Sequence, residues 1–97
     1  MNHELVVRPE AAEELKDSFM WYEVQSKGLG FDFFRCVDAT ISSISCSPLM
    51  YPEVHKNIRR ALIRKFPFEI FYIIAESKII ILAVFHASRN PKHWKAR

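Results

Sequence analysis

The groups in this chain best suited to chemistry are one histidine and a set of cations in its second half. His86 closes the apolar run Ile79 to Phe85, with Lys56, Arg60 and Arg64 before it and Arg89 just after. A histidine exchanges a proton near neutral pH, and guanidinium or ammonium groups stabilise a developing anion. Together these are the groups that RNA cleavage at a 2′-hydroxyl needs: a base, cations around the phosphorane and an acid for the leaving oxygen. At the end of a core strand, His86 could reach an open sheet face. The competing reading is a partly buried imidazole bonded to a backbone carbonyl. Arg64 is one of these cations or, equally, a strand-edge charge beside Phe66-Pro67. Arg59 and Arg60 suit either an anion grip or pairing with Glu10, Glu13, Glu14 or a partner protein. Trp94 can stack on a base or plug a sheet face, but its indole nitrogen only donates, so it is neither acid nor base.

No metal-ligand spacing joins His3, His55, His86 or His93 to Cys36 or Cys46, so no metal and no cofactor are expected. The two cysteines lie ten positions apart in one predicted helix, about 15 Å along its axis. A disulfide needs Cα atoms within about 7 Å, so both are read as small reduced core residues, in a reducing compartment.

Positioning these side chains falls to elements visible in the hydrophobic period. Glu4 to Val7 is a short β-prone run ending at Arg8-Pro9, and Pro9 suits a first helical position. From Pro9 to about Lys27, Ala12, Leu15, Phe19 and Tyr22 recur at helical spacing. Gly28-Leu29-Gly30 then reverses the chain into a second helix with Phe34, Val37, Ile41 and Ile44 inward, stopped by Ser47-Pro48. Leu49 to Lys56 reads as a loop. Strands are expected over 57–64, 68–75 and 79–86, the last two joined by the turn Glu76-Ser77-Lys78. The first puts Arg60, Leu62 and Arg64 on one face and Arg59, Ala61 and Ile63 on the other, with the core side left open. The other two are apolar on both faces and so central. The expected fold is α+β: an N-terminal strand, a helical hairpin, then a three-stranded antiparallel meander packed against the helices. That hairpin covers one sheet face, and the Trp94 segment or a partner is the candidate cover for the other.

Composition narrows the class. Ninety-seven residues, 49% hydrophobic and 26% charged, fit one globular domain spanning 1–97. Met1-Asn2-His3-Glu4 lacks the basic start and apolar run of a secretory signal. Ile79 to Phe85 has seven apolar residues, against the roughly 20 of a membrane helix. A cytoplasmic protein with no membrane partner is expected. Net charge is +3, but residues 1–54 carry four Lys/Arg against nine Asp/Glu, or −5, while 55–97 carry ten against two, or +8. The second half is a candidate surface for a polyanion or an acidic protein. Aromatic residues reach 13%. Phe19, Trp21, Tyr22, Phe31, Phe33, Phe34, Phe68, Phe71 and Tyr72 fall mainly at core-like positions, so packing is expected of them rather than base stacking.

Four strings carry a family resemblance. They are Trp21-Tyr22-Glu23 followed by Gly28-Leu29-Gly30 and Phe33 or Phe34; Ile58-Arg59-Arg60 leading into Arg64-Lys65-Phe66-Pro67-Phe68 with Ile70 and Tyr72; Ala83-Val84-Phe85-His86; and Arg89-Asn90-Pro91 with Trp94 and Arg97. In this order they resemble the RelE/ParE superfamily, the toxins of type II toxin-antitoxin systems. The resemblance implies a chain that arrests bacterial growth until a cognate antitoxin covers it. One fold hosts both inhibitors of DNA gyrase and ribosome-dependent messenger-RNA endonucleases, so fold does not choose between them. Ribonuclease members often carry a C-terminal tyrosine or histidine where this chain has His93-Trp94, and the lysine cluster of some is reduced to Lys56 beside His55. The expected activity is therefore gyrase inhibition, with a messenger-RNA endonuclease as the alternative and a non-toxic binding relative as the third reading. In an endonuclease His86, Arg64 and Arg89 would be catalytic. Lys56, Arg59, Arg60, Lys65, Trp94 and Arg97 are the candidate contacts to target or antitoxin.

Overall fold

A computed structural model describes residues 3–87. The elements run β1 (Glu4–Val7), α1 (Pro9–Gln25), α2 (Leu29–Cys46), β2 (Glu53–His55), β3 (Ile58–Leu62), β4 (Phe68–Ala75) and β5 (Lys78–His86). They build a five-stranded sheet in the order β1-β5-β4-β3-β2. β2 to β5 form an antiparallel meander, and β1 returns to pair in parallel with β5. The expected meander thus gains a fourth strand: β2 lies inside the stretch read as a loop. Three residues between Pro52 and a turn at Lys56 (φ +50°) are too few to display a period. Among the described residues no helix is long and apolar enough to cross a membrane.

α1 starts on Pro9, whose missing N–H is no loss at a first helical position. The hairpin to α2 is set by one side chain. Glu23 accepts hydrogen bonds from the Gly28 and Gly30 N–H groups at 2.8 and 3.0 Å, satisfying donors at the α2 N-terminus. Gly28 takes φ +90°, and a Cβ on Gly30 would lie 2.5 Å from the Phe19 carbonyl oxygen, so the helices approach there as only glycine allows.

The buried face of α2 is Gly30, Phe33, Val37, Thr40 and Ile44. It is rotated by one residue from the expected stripe at its start. Phe34 is exposed, and Ile41 packs only at the margin. The buried Thr40 hydroxyl donates to the Cys36 carbonyl at 2.9 Å, which lets a polar residue sit inward. In α1 the buried alanine is Ala11, not Ala12. Both cysteines are free, and of the two expected in the core only Cys36 packs against it, while Cys46 is exposed near the end of α2.

Below the helices lie Ala61, Ile63, Phe68, Ile70, Tyr72, Ile79, Ile81 and Val84. The helix side of β3 is therefore the Arg59, Ala61, Ile63 side. On the opposite sheet face Phe71, Ala83 and Phe85 are also buried, with Ile58 against them. β4 and β5 are central, as expected, and apolar side chains are buried on both faces. Trp94, expected to plug that second face, lies outside the described residues.

One irregularity governs the site. Tyr72 pairs with Ile81 and Phe71 with Ala83, which leaves Leu82 as an extra residue in β5. Alternation shifts beyond it: Ile79, Ile81 and Val84 face the helices, while Ala83 and Phe85 face away. β1 pairs with β5 only as far as Ile81. Past that point the Val84 N–H is taken by the Glu14 carboxylate of α1 at 2.9 Å.

Candidate functional site

The Leu82 bulge turns His86 over. Its backbone partner is Phe68, and its ring stands edge-on to Phe68, with centroids 5.3 Å apart. Phe68 belongs to the helix-side core, so His86 is half-buried on that side and does not reach the opposite face. Strict alternation along Ile79 to His86 would place it on the opposite face. A bulge adds one residue and reverses every side chain after it.

The cations of β3 separate by face. Arg59 points to the helix side, 17% exposed, and donates to the carbonyls of Leu49 and Tyr51 while pairing with Glu53 at 3.3 Å. It clamps the 49–53 loop onto the sheet. The loop is also held from below, where the Tyr72 hydroxyl donates to the Pro48 carbonyl at 2.7 Å, and from the side, where Tyr51 and Ser43 share a hydrogen bond of 2.8 Å. Burial pushes the Tyr72 phenol up to about 12, with the Arg59 charge pulling it down and Tyr51 adding to the rise. Burial also raises Tyr22.

Arg60 lies on the other face and meets Glu69 at 3.5 Å. Neither arginine pairs with the acids of α1, one of the alternatives open to them. Glu10 takes Arg8 at 3.6 Å, and Glu14 caps Val84. Lys56 is exposed at the turn before β3, whereas Arg64 and Lys65 are exposed just after it. The five residues of β3 lie between, at about 3.4 Å each. These cations therefore do not make one patch.

Arg64 and Lys65 instead meet α2. With Phe66 they form one wall of a groove of about 760 Å³, and Leu29, Asp32, Arg35, Cys36 and Ala39 form the other. Asp32 and Arg35 pair with each other one turn apart. Lys65 takes φ +71°, a conformation uncommon for a side-chain-bearing residue. The turn is tied by Ile63 N–H to the Phe68 carbonyl (3.0 Å), Phe68 N–H to that of Phe66 (2.8 Å), and Ala87 N–H to that of Pro67 (2.7 Å). His86 is not among the groove residues. Arg89, Trp94 and Arg97 lie outside the described residues.

The groove wall on α2 was missed from sequence, although Leu29, Asp32, Cys36 and Ala39 follow helical spacing. Also unanticipated are exposed apolar residues near the end of the helical hairpin: Met20 (55%), Trp21 (59%), Val24 (82%), Phe31 (54%) and Phe34 (52%). Trp21, Phe31 and Phe34 had been expected in the core. Exposed apolar residues gathered near one end of a small domain suit contact with another protein. No group of three or more His, Cys, Asp or Glu able to hold a metal occurs among the described residues.

The model of the ParE toxin of type II toxin-antitoxin systems, parDE, matches residues 5–91. Among solved structures, the chromosomal ParDE toxin-antitoxin system from P. aeruginosa matches with a TM-score of 0.79 at 14% identity, covering 89% of this chain and 97% of that one. An arginine-to-alanine double mutant of the E. coli toxin RelE in the free state matches with a TM-score of 0.73 at 12% identity, covering 99% and 93%. The isolated E. coli RelE toxin gives 0.63 at 12%, covering 97% and 94%. At such identities these likenesses bear on fold alone. No curated protein sequence matches.

Proposed function

The chain belongs to the ParE toxin family of type II toxin-antitoxin systems, and from that premise we propose that it arrests growth by binding DNA gyrase in the cytoplasm, through protein contact rather than RNA cleavage. A toxin of such a pair has a cognate antitoxin as its partner. The observation that carries the gyrase reading is the place of His86. Ribonuclease chemistry on this sheet asks for a base that opens toward the scissile bond, at about 3 Å from the proton it takes. Here the bulge at Leu82 puts the imidazole on the helix side, edge-on to Phe68. Arg64, the cation that would join it, lines a groove that His86 does not share. The exposed apolar residues of the hairpin supply contact area of the kind an inhibitor by binding uses.

Inducing the chain without its antitoxin, and following DNA and protein synthesis separately over the first minutes, tests the reading. DNA synthesis should fail first, with a DNA-damage response and filamentous cells, and the purified chain should block supercoiling by gyrase. His86→Gln should retain that toxicity. Immediate arrest of translation with fragmented messenger RNA would overturn the gyrase reading in favour of a RelE-type endonuclease. A chain that leaves growth untouched would be a non-toxic binding relative.

A further inference from the structure

We propose that the groove between α2 and the turn 63–67 holds an acidic, aliphatic segment of the antitoxin, with a carboxylate between Arg64 and Lys65 and an apolar side chain on the floor. This rests on the reading of the chain as a toxin silenced by such a partner. Among the described residues three cations, Arg35, Arg64 and Lys65, line the groove against one carboxylate, that of Asp32, already paired with Arg35. The charges left for a visitor are those of Arg64 and Lys65, on exposed side chains of a turn tied at both ends. A fixed turn presents them without the ordering cost of a mobile loop.

Between the charges the lining is apolar or weakly polar: Leu29, Cys36, Ala39 and Phe66. A volume of about 760 Å³ is in the range of clefts that hold a drug-sized ligand, roughly 300–1,000 Å³, which is room for a few side chains. Phe66 is held edge-on by Tyr22 and Phe33, with centroids at 5.0 and 5.3 Å, so it gives the groove a fixed apolar surface. An acidic peptide with an aliphatic anchor meets both the charge and the floor, and a nucleic acid meets only the charge.

The two cysteines of α2 provide the test. Cys36 lines the groove, and Cys46 is exposed at the far end of the same helix. The probe is the protein encoded by the reading frame adjacent to this one, purified in complex with the chain. Alkylation with N-ethylmaleimide, read by mass spectrometry, should slow at least tenfold at Cys36 in the complex relative to the free chain. Ala39→Cys, on the same exposed wall, should be protected likewise and serves if Cys36 reacts slowly when free. The double variant Arg64→Glu with Lys65→Glu should weaken the complex at least tenfold, restore labelling at Cys36 but not change any protection at Cys46, and melt as the wild-type chain does. Labelling at Cys36 and at Ala39→Cys unchanged in a complex that still neutralises toxicity would overturn the proposal and leave the toxin reading standing. Absence of any complex would overturn both. Protection by a single-stranded RNA of twenty nucleotides, and not by the adjacent protein, would assign the groove to nucleic acid and equally overturn it.

Discussion

Replacing Tyr72 by phenylalanine removes one oxygen and asks whether the 48–53 loop is held from below. The ring is fully buried, and its hydroxyl donates to the Pro48 carbonyl at 2.7 Å. Tyr72→Phe keeps the aromatic packing, so the loss is one hydrogen bond plus a carbonyl left without its donor, about 1–2 kcal/mol. In a domain of this size each kcal/mol moves the melting temperature by about 4–8 °C. The same hydroxyl gives the effect a pH signature. Burial raises the phenol to about 12, with Arg59 opposing and Tyr51 adding to the shift, while the unfolded chain releases that proton near pH 10. A raised folded pKa on an acid means that the native state keeps a proton which the unfolded state gives up. This contribution is complete below pH 10 and is lost as pH rises from 10 towards 12. Urea unfolding of both proteins at pH 8 and pH 11 should show the wild-type advantage at pH 8 and a smaller gap at pH 11. An equal gap at both values, or an unchanged midpoint at pH 8, would refute the reasoning.

Gly30→Ala places a Cβ 2.5 Å from the Phe19 carbonyl oxygen and should cost about 1–3 kcal/mol by forcing the helices apart. Gly28→Ala meets no neighbour within 4 Å but keeps φ +90°, so only the backbone penalty, about 1–2 kcal/mol, should appear; thermal melts of the pair separate crowding from conformation. Arg59→Ala strips the donors from the Leu49 and Tyr51 carbonyls and should cost about 2 kcal/mol in urea titrations. Arg59→Lys should recover under half of this, since one ammonium cannot reproduce the fork. Glu14→Ala should speed hydrogen exchange at the Val84 amide, which loses its acceptor; Glu14→Gln should keep most of the protection, and equal rates in both variants would deny the contact.

Elements whose period runs for many residues were readable from sequence. The strands over 4–7 and 68–75 come out at the expected bounds, and both helices lie where the apolar spacing put them. What failed was rotation within an element. Ala11 and Ala12, like Phe33 and Phe34, are neighbours of one kind about 100° apart on a helix, and hydrophobicity cannot say which turns inward. The structure decides by fit: Phe33 meets Tyr22, Phe66 and Phe68, and so Thr40 rather than Ile41 continues the stripe. β3 shows the converse. Its two faces each carried an arginine, and only a partner for one of them could settle the side. The carbonyls of Leu49 and Tyr51 provide that partner for Arg59, and their loop was invisible to any period.

The site was harder to read for a related reason: its residues are brought together by departures from regularity. His86 faces the helices because of one extra residue at Leu82, and nothing in Ile79 to Phe85 marks that residue, since each neighbour is as apolar as the next. Arg64 and Lys65 share a wall because the chain leaves β3 through a left-handed lysine, where composition alone would have favoured glycine. Charge counting found the basic half and treated its cations as one surface. Folding divides that surface by use: Arg59 holds a loop, Arg60 joins two strands through Glu69, and Arg64 with Lys65 stay exposed beside α2. Arg59 cannot be altered without loosening its loop, and the partly exposed Arg60–Glu69 pair is of small worth, whereas Arg64 and Lys65 stand exposed on a turn held by backbone hydrogen bonds. Charge changes at those two positions therefore carry the cleanest information about recognition, while a loss of binding on changing Arg59 would report first on the fold.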